Sequence, residues 1–579
     1  MNRLATSNYR RQQGALTVIT PLLLVIVVIL SVMALDGARL YMLRGEMQAQ
    51  VNVAAQAAAG EAQSCGGQFV STAVIQARAL AAAKAQGFSE EDGSLQVQVG
   101  LIEDADDSDV LSFRPVNFVE ESNAVLVTYT RSEPISLLLP ESTFGTLDMS
   151  VNAAARKQVV ATMSAAGSTA TVDSGIVGSL LAAVLRDDTY TLDPTSVDSL
   201  RNTTIKLGDL LAKVGVADVA ELLSLDGVVL ASALRDVAGA ASPAGKALDD
   251  LLGAAGLGTV QVSEVLEVVE GTQVPTNSEF PLYDMLISLV LNVAQAQQGG
   301  SGGFLTVPLD VNLDLSPVAN VQASVKLNVG EAPKIRIGPV RKDADGEWVT
   351  KVYAPDISLL IDADVQLLDL GPLLNLATVD LPLAVNAGGA EIEFVSADCA
   401  AGSNNDIEIG VNINRSVARL GTGTVDSESG EIVSDQGQLE VLGLLGIRLL
   451  SANVFIDGEV PGVSDREVII AQDYPLYCSD TGCSQQTFND SGDGVTGLDL
   501  NIELRDLNIL EILPLDLTFL TDLLENLLST VVEALAGSLI NPLLETLGIG
   551  VGGVTITVTG ASQNSSQVLE NIVVVSDQN

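Results

Sequence analysis

The chain contains no histidine among its 579 residues, an absence that removes Ser-His-Asp and Cys-His nucleophilic mechanisms and every histidine-bearing zinc site. Ser-x-x-Lys does not occur, so the serine-lysine acylase signature is missing. Gly245-Lys246 is followed by Ala247 and lacks the upstream glycine spacing of a phosphate-binding loop. Carboxylate and thiol chemistry remain. The 73 Asp and Glu residues could supply acid-base pairs, but such pairs are recognised by separation in space and not by spacing in sequence. Two acidic clusters offer the oxygen ligands that calcium prefers: Asp104, Asp106, Asp107 and Asp109, and the loop from Asn489 to Gly494 with Asp490 and Asp493. Counted as a calcium loop from Asn489, the sixth position is Gly494, but Leu500 stands at the twelfth, where a bidentate Glu belongs. Solvated loops are the plainer reading of both clusters, and calcium is the weaker alternative. No other cofactor is expected.

Four cysteines, Cys65, Cys399, Cys478 and Cys483, are compatible with two disulfides in an oxidising compartment. Cys478 and Cys483 are the favoured pair because they close a short loop; Cys65 and Cys399 are open between a bridge and free thiols. With two neighbouring thiols and no histidine, a zinc site is poorly supplied.

The formal charge is -45, which argues against nucleic acid and anionic lipid surfaces as partners, since phosphate binding needs a Lys/Arg footprint. It describes a solvated acidic exterior. Hydrophobic residues make up 47% of the chain and aromatics 3%, with Trp348 the single tryptophan, so any core is built from Leu, Val, Ile and Ala.

These modules must be carried by something, and the N-terminus says what. Ala15 to Leu35, with Pro21 near its start, is an uncharged apolar run of 21 residues. As a helix it extends roughly 32 Å, enough to cross a bilayer core. Arg3, Arg10 and Arg11 precede it with no acid between them, which predicts a cytoplasmic N-terminus and the bulk of the chain on the far side. Cleavage after Ala34 as a signal peptide is the competing reading, and the length of the apolar run argues against it.

Beyond the run, Leu40, Leu43, Met47, Val51, Ala54 and Ala58 recur every three or four residues, so the spanning helix is expected to continue as an amphipathic stem. A second helix over about Val70 to Gln86 should stop at Gly87. Alternation at Leu95, Val97, Val99 and Leu101, and again at Val125, Val127 and Tyr129, predicts strands of a small sheet.

The segment Arg10-Arg-Gln-Gln-Gly-Ala-Leu, then Leu35-Asp-Gly-Ala-Arg-Leu-Tyr and the alanine-rich stretch to Gly60, resembles the TadG-like proteins of the tight-adherence (Flp) pilus assembly system. Phe144-Gly-Thr-Leu-Asp-Met-Ser-Val-Asn-Ala-Ala-Ala resembles the last strand of their pilin-like region. The resemblance implies a non-catalytic, single-pass protein of a bacterial inner membrane, its bulk periplasmic or surface-exposed, with other pilus-assembly proteins as partners and adhesion as the outcome. It makes Leu40, Leu43, Met47 and Val51 the expected assembly surface. Two features depart from the family. Gly14 is followed five residues on by Ile19, where a processed pilin carries Glu, and the Asp-x-Ser-x-Ser motif of a von Willebrand A domain is absent.

The remainder divides by pattern. Residues 166–296 read as short helices, and 297–303, Gln-Gln-Gly-Gly-Ser-Gly-Gly, as a linker. Long alternating runs at 305–315, 321–329, 357–367 and 407–413 predict an antiparallel domain over 304–475, with Asp345-Gly346 as a hairpin turn. Residues 476–505 read as an acidic loop carrying two cysteines. Over 506–579 a stripe of Leu517, Leu520, Leu524, Leu527, Val531, Leu535 and Leu539 predicts an amphipathic helix covering the sheet, then a terminal strand. If helix and sheet splay apart, they could hold a lipid. The expected fold class is α+β: a membrane helix (15–35) behind a short cytoplasmic tail (1–14), a pilin-like helix-plus-sheet module (36–165), the short-helix region, and the long-stranded sheet. The alternative function is an envelope-anchored adhesin stabilised by calcium, or a lipid-holding β/α protein.

Overall fold

The computed structural model describes residues 13–60, 71–104, 111–117, 119, 122, 124–138, 140–165, 174–270, 272, 274–298, 303–315, 319–340, 347–367, 374–399, 407–426, 431–443, 447–462, 464–471, 476–477, 484–489, 500–509, 517–547, 549–550 and 553–575. The fold is α+β with a long apolar N-terminal helix and large sheets. It divides into two compact units: residues 1–158 with 566–579, and residues 159–565.

In the first unit, helix α1 (Gln13–Ala59) runs unbroken for 47 residues, about 70 Å. Its first half contains the β-branched run Val25 to Ile29, weak helix formers in water. In lipid the helix is nevertheless the only single-segment structure that satisfies every backbone group internally. Pro21 lies inside the helix near its start, and Ser31 Oγ donates to the Val27 carbonyl at 2.7 Å. The second half is alanine-rich and packs against α2 (Thr72–Ala85). Gly87 ends α2 at φ +91°, with Gly87 N bonding to Lys84 O and Phe88 N to Ala83 O, a closure that needs the left-handed backbone glycine tolerates.

Four antiparallel strands follow: β1 (Ser94–Asp104), β2 (Leu111–Pro115), β3 (Ala124–Pro134) and β4, which begins at Thr146. Their order is β4-β3-β1-β2. Val97 stands opposite Val127, and Val127 opposite Ala153, so one face carries a continuous apolar row. That row closes on Met47, Val51, Ala54, Ala55 and Ala58 of α1 and on Ile75, Ala79 and Ala83 of α2. Alanines on both sides let helix and sheet approach closely.

The sequence places 506–579 in one terminal block; the structure divides it. Val573–Val574 pairs in parallel with Ser112 and Phe113, Ile572 is buried with Phe113 and Leu126, and Arg156 Nε donates to Gln567 Oε1 at 3.0 Å. A pairing across more than 450 residues leaves no periodic trace in either strand, which is why the pattern missed it.

The second unit begins with short helices whose starts are marked in the sequence. Asp193, Asp218, Asp226 and Ser242 accept the backbone N–H of Thr195, Glu221, Val229 and Gly245, and prolines 194 and 243 occupy first-turn positions. The expected all-helical block also contains small strands: Thr204–Lys206 pairs with Glu279–Pro281, and Leu266–Val268 lies parallel to Ile335–Pro339. Helix Leu282–Gln297 is buried from Leu282 to Ala294. An antiparallel sheet follows in the order Leu305–Leu315, Ala319–Glu331, Asp356–Leu367, Leu374–Asn386. The next lane is shared end to end by Gly437–Gly443 and Ala418–Val425, both of which also pair with Arg448–Val460. Asp356–Leu367 shows the alternation physically, with Ile357, Leu359, Ile361, Ala363, Val365 and Leu367 buried and Asp362, Asp364 and Gln366 outward.

The expected single sheet over 304–475 is two. Lys351–Ala354, Ala390–Cys399, Ile407–Arg415 and Ser464–Ala471 form a separate four-stranded sheet. The expected loop over 476–505 contains strands Leu476–Tyr477 and Ser484–Asn489, and Asn501–Ile509 adds to the large sheet beside Arg448–Val460. The helix Leu517–Leu535 buries Leu524, Leu528, Val531, Val532 and Leu535 in the core that contains the strand residues. With the segment to Thr546 it is long and apolar enough to span a membrane, but half of that stretch is buried inside the unit, the signature of a core helix. The hairpin turn expected at Asp345-Gly346 lies outside the described residues.

Candidate functional site

The part of this chain whose geometry carries a functional consequence is the end of the first unit nearest the apolar half of α1. From Ile19 to Leu35 the large apolar side chains other than Val32 are between 47% and 65% exposed, and no described residue covers that stretch. Ala15 lies in the same helix, and Pro21 and Leu35 are exposed. Burial begins one turn later. This helix is compatible with a single membrane anchor.

Past Leu35, contacts to the β3–β4 hairpin replace exposure. Gln48 Nε2 donates to Asn152 O at 3.1 Å, and Asn152 is paired with Thr128 on β3. Nine residues nearer the anchor, Arg39 Nη1 meets Glu133 Oε2 at 3.1 Å, and Arg39 Nη2 donates to Pro134 O. One turn nearer still, Leu137 N donates to Asp36 Oδ1 at 3.4 Å. Helix position and hairpin position therefore advance together, so the hairpin turn lies at the level where the apolar run ends. Glu133 is also bound by Arg131, which reaches Asp92 at 3.6 Å. A buried carboxylate held between two guanidinium groups fixes this strand end to the stem.

Met47 and Val51, expected on an assembly surface, are 1% and 0% exposed and belong to the unit's own core. This corrects that expectation: helical periodicity identified the residues that share a face, and the face is covered by α2 and the sheet. Leu43 packs partly against the same core and Leu40 is half-buried, while Tyr41 and Met42 are exposed.

Of the other candidate residues, Asp104 and Cys399 are described. Asp104 ends β1 in register with Leu111. Asp106, Asp107, Asp109, Asp490 and Asp493 lie outside the described residues, as do Cys65, Cys478 and Cys483. Cys399 ends its strand opposite Ile407. Among the described residues, no group of three or more carboxylates or thiols is placed to hold a metal ion.

The buried charges serve the fold. Asp284 sits in the first turn of Leu282–Gln297, where the helix N-terminus favours a carboxylate, and accepts from Ser164 Oγ. Lys351 lies among Glu393 at 3.0 Å, Glu391 at 3.0 Å and Glu347 at 3.3 Å; these carboxylates, Glu393 foremost, hold its pKa above the ordinary lysine range. Burial raises the Asp356 carboxyl. In the first unit an open groove of about 480 Å³ lies between α2 and β1, lined by Gln76, Leu80, Leu95, Gln96, Val97 and Gln98, and none of these side chains can act as nucleophile, acid or base. From Leu524 to Leu539 the C-terminal helix stripe is closed onto the core.

No protein-family model, curated protein or solved structure matches this chain.

Proposed function

We propose that this protein is a non-catalytic, membrane-anchored, extracytoplasmic component of a Tad/Flp-type pilus assembly apparatus, a minor pilin or assembly factor linked to adhesion. The observation that carries the reading is the division of one continuous helix into two halves. One half is apolar and uncovered; the other is buried against a second helix and a small antiparallel sheet, the organisation a pilin-like subunit needs to stand on a bilayer. The motif at Arg10 to Leu16 and at Leu35 to Tyr41 supports the same family, and the N-terminal arginines support a cytoplasmic start with the acidic bulk outside an inner membrane. The absence of histidine from the sequence supports a binding or structural role over nucleophilic catalysis. In this reading Ala15 to Leu35 anchor the chain, and Leu40 and Leu43 are the members of the expected assembly set that retain exposed area.

Deletion of the protein from its own cell, followed by electron microscopy and an adhesion assay, tests the reading. Loss of pilus fibres and of adhesion, restored by the full chain and not by a chain lacking residues 15–35, is the expected result. Normal fibres in the deleted strain would overturn it.

A further inference from the structure

The β3–β4 connection is an apolar segment left uncovered outside the anchor. Leu137 and Leu138 are 66% and 69% exposed, and Ile135, Phe144 and Leu147 are exposed beside them. From Ile135 to Leu147 the sequence carries one charged side chain, Glu141, in a protein of net charge -45. Its two ends are joined: Ile135 N bonds to Gly145 O at 3.2 Å, and Glu141–Phe144 forms a single helical turn closed by Gly145 at φ +74°. A soluble turn of this kind would carry polar residues. Five large apolar side chains exposed together mark an interaction surface.

Its position says what it meets. The Asp36 contact to Leu137 and the Arg39 contacts to Glu133 and Pro134 hold the connection at the level where the uncovered run of α1 ends. Tyr41 and Met42, also exposed, lie about 9–10 Å beyond Leu35 along the helix, just past a headgroup zone roughly 5–8 Å thick. Asp36, one residue past Leu35, therefore lies inside that zone, and the connection it binds lies there with it.

We propose that the β3–β4 connection, through Ile135, Leu137, Leu138, Phe144 and Leu147, is a second membrane contact that beds into the boundary between headgroups and acyl chains beside α1. The proposal rests on the anchor reading and deepens it. A single helix leaves its cargo free to tilt and spin; a second contact tied to the stem through Arg39 and Asp36 fixes how the first unit stands on the bilayer. The recognised surface is zwitterionic lipid, because the acidity of the chain and the lone Glu141 disfavour anionic headgroups.

The full chain reconstituted into phosphatidylcholine vesicles, with bromine placed shallow or deep on the acyl chains, provides the test. Leu138→Trp and Phe144→Trp report the turn, Leu24→Trp reports the anchor, and the wild-type signal of Trp348 is subtracted. All three replaced side chains are exposed, so the substitutions spare the core. Shallow bromine should quench Leu138→Trp or Phe144→Trp at least about twofold, and deep bromine should quench Leu24→Trp. If Leu24→Trp is quenched while both turn variants are not, the turn faces something other than lipid and this inference falls with the anchor intact. If Leu24→Trp itself escapes quenching, the anchor reading fails and takes the inference with it.

Discussion

Arg39 on the stem helix and Glu133 near the end of β3 are joined at 3.1 Å, four residues beyond the last residue of the apolar run and 94 residues apart in sequence. Both side chains are mostly buried, so this pair acts as a fixed strut and not as a surface ornament.

Replacing Arg39 with Ala leaves Glu133 with Arg131 as its remaining cationic partner and frees the Pro134 carbonyl. The expected cost is about 1–2 kcal/mol, between that of an exposed and that of a buried pair. Hydrogen exchange on the full chain in detergent micelles checks it: amides 133–138 should exchange faster in R39A while those of Leu282–Gln297 are unchanged. Unaltered protection at 133–138 would show that the strut does not hold the hairpin.

Met47→Ala should destabilise the first unit by about 2–5 kcal/mol, since it removes a fully buried side chain from between α1, α2 and the sheet. Leu40→Ala, at a half-buried position, should cost less. Denaturant unfolding followed by circular dichroism separates the two. Were Met47→Ala to leave stability intact and weaken self-association instead, the burial described above would be wrong.

Lys351 gives a pH signature. Its folded pKa is raised, chiefly by Glu393, so its contribution to stability is fully present below the ordinary lysine value near 10.5 and is lost as pH rises through the higher folded value. Lys351→Met should lower stability near neutral pH by about 1 kcal/mol, because Glu347, Glu391 and Glu393 are left facing one another. As pH rises from neutral, the difference in melting temperature between wild type and K351M should narrow only under strongly alkaline conditions. A gap that closed between neutral pH and about pH 9 would contradict this sign.

The anchor makes a direct prediction. Leu24→Arg combined with Val27→Arg places two charges at the centre of the apolar run, each costing about 2.5–3.5 kcal/mol of insertion. Wild-type protein should stay with vesicles through a carbonate wash, and the double variant should be released. Release of the wild type would remove the anchor.

How much of this was legible before folding depends on what each residue's role requires. Ala15 to Leu35 is readable because an apolar run long enough to span a bilayer is a property of one contiguous segment, set by length and lack of charge. Asp356 to Leu367 is readable because a half-buried strand writes period two into its own residues. Asp193 and Ser242 announce helix starts because a cap is satisfied locally. In each case cause and signal lie within a few positions of each other.

Contacts over long separations leave no such mark. Periodicity placed Leu43, Met47 and Val51 on one face of the stem, but only the fold brought α2, β1, β3 and β4 over it, turning an expected docking surface into a core. Nothing in Asn501 to Ile509 names Arg448–Val460 as its neighbour, and nothing in Val573–Val574 names β2. The pairing of Arg39 with Glu133 is of the same kind. The sequence by itself determined the length and lack of charge of the N-terminal apolar run, the longest helices and strands, and which chemistries lack their residues, since these follow from the side chains of single segments. Tertiary structure alone decided which apolar faces are spent on the core and which, as at Leu137 and Leu138, are left uncovered, because burial is a property of pairs of segments that the chain order does not state.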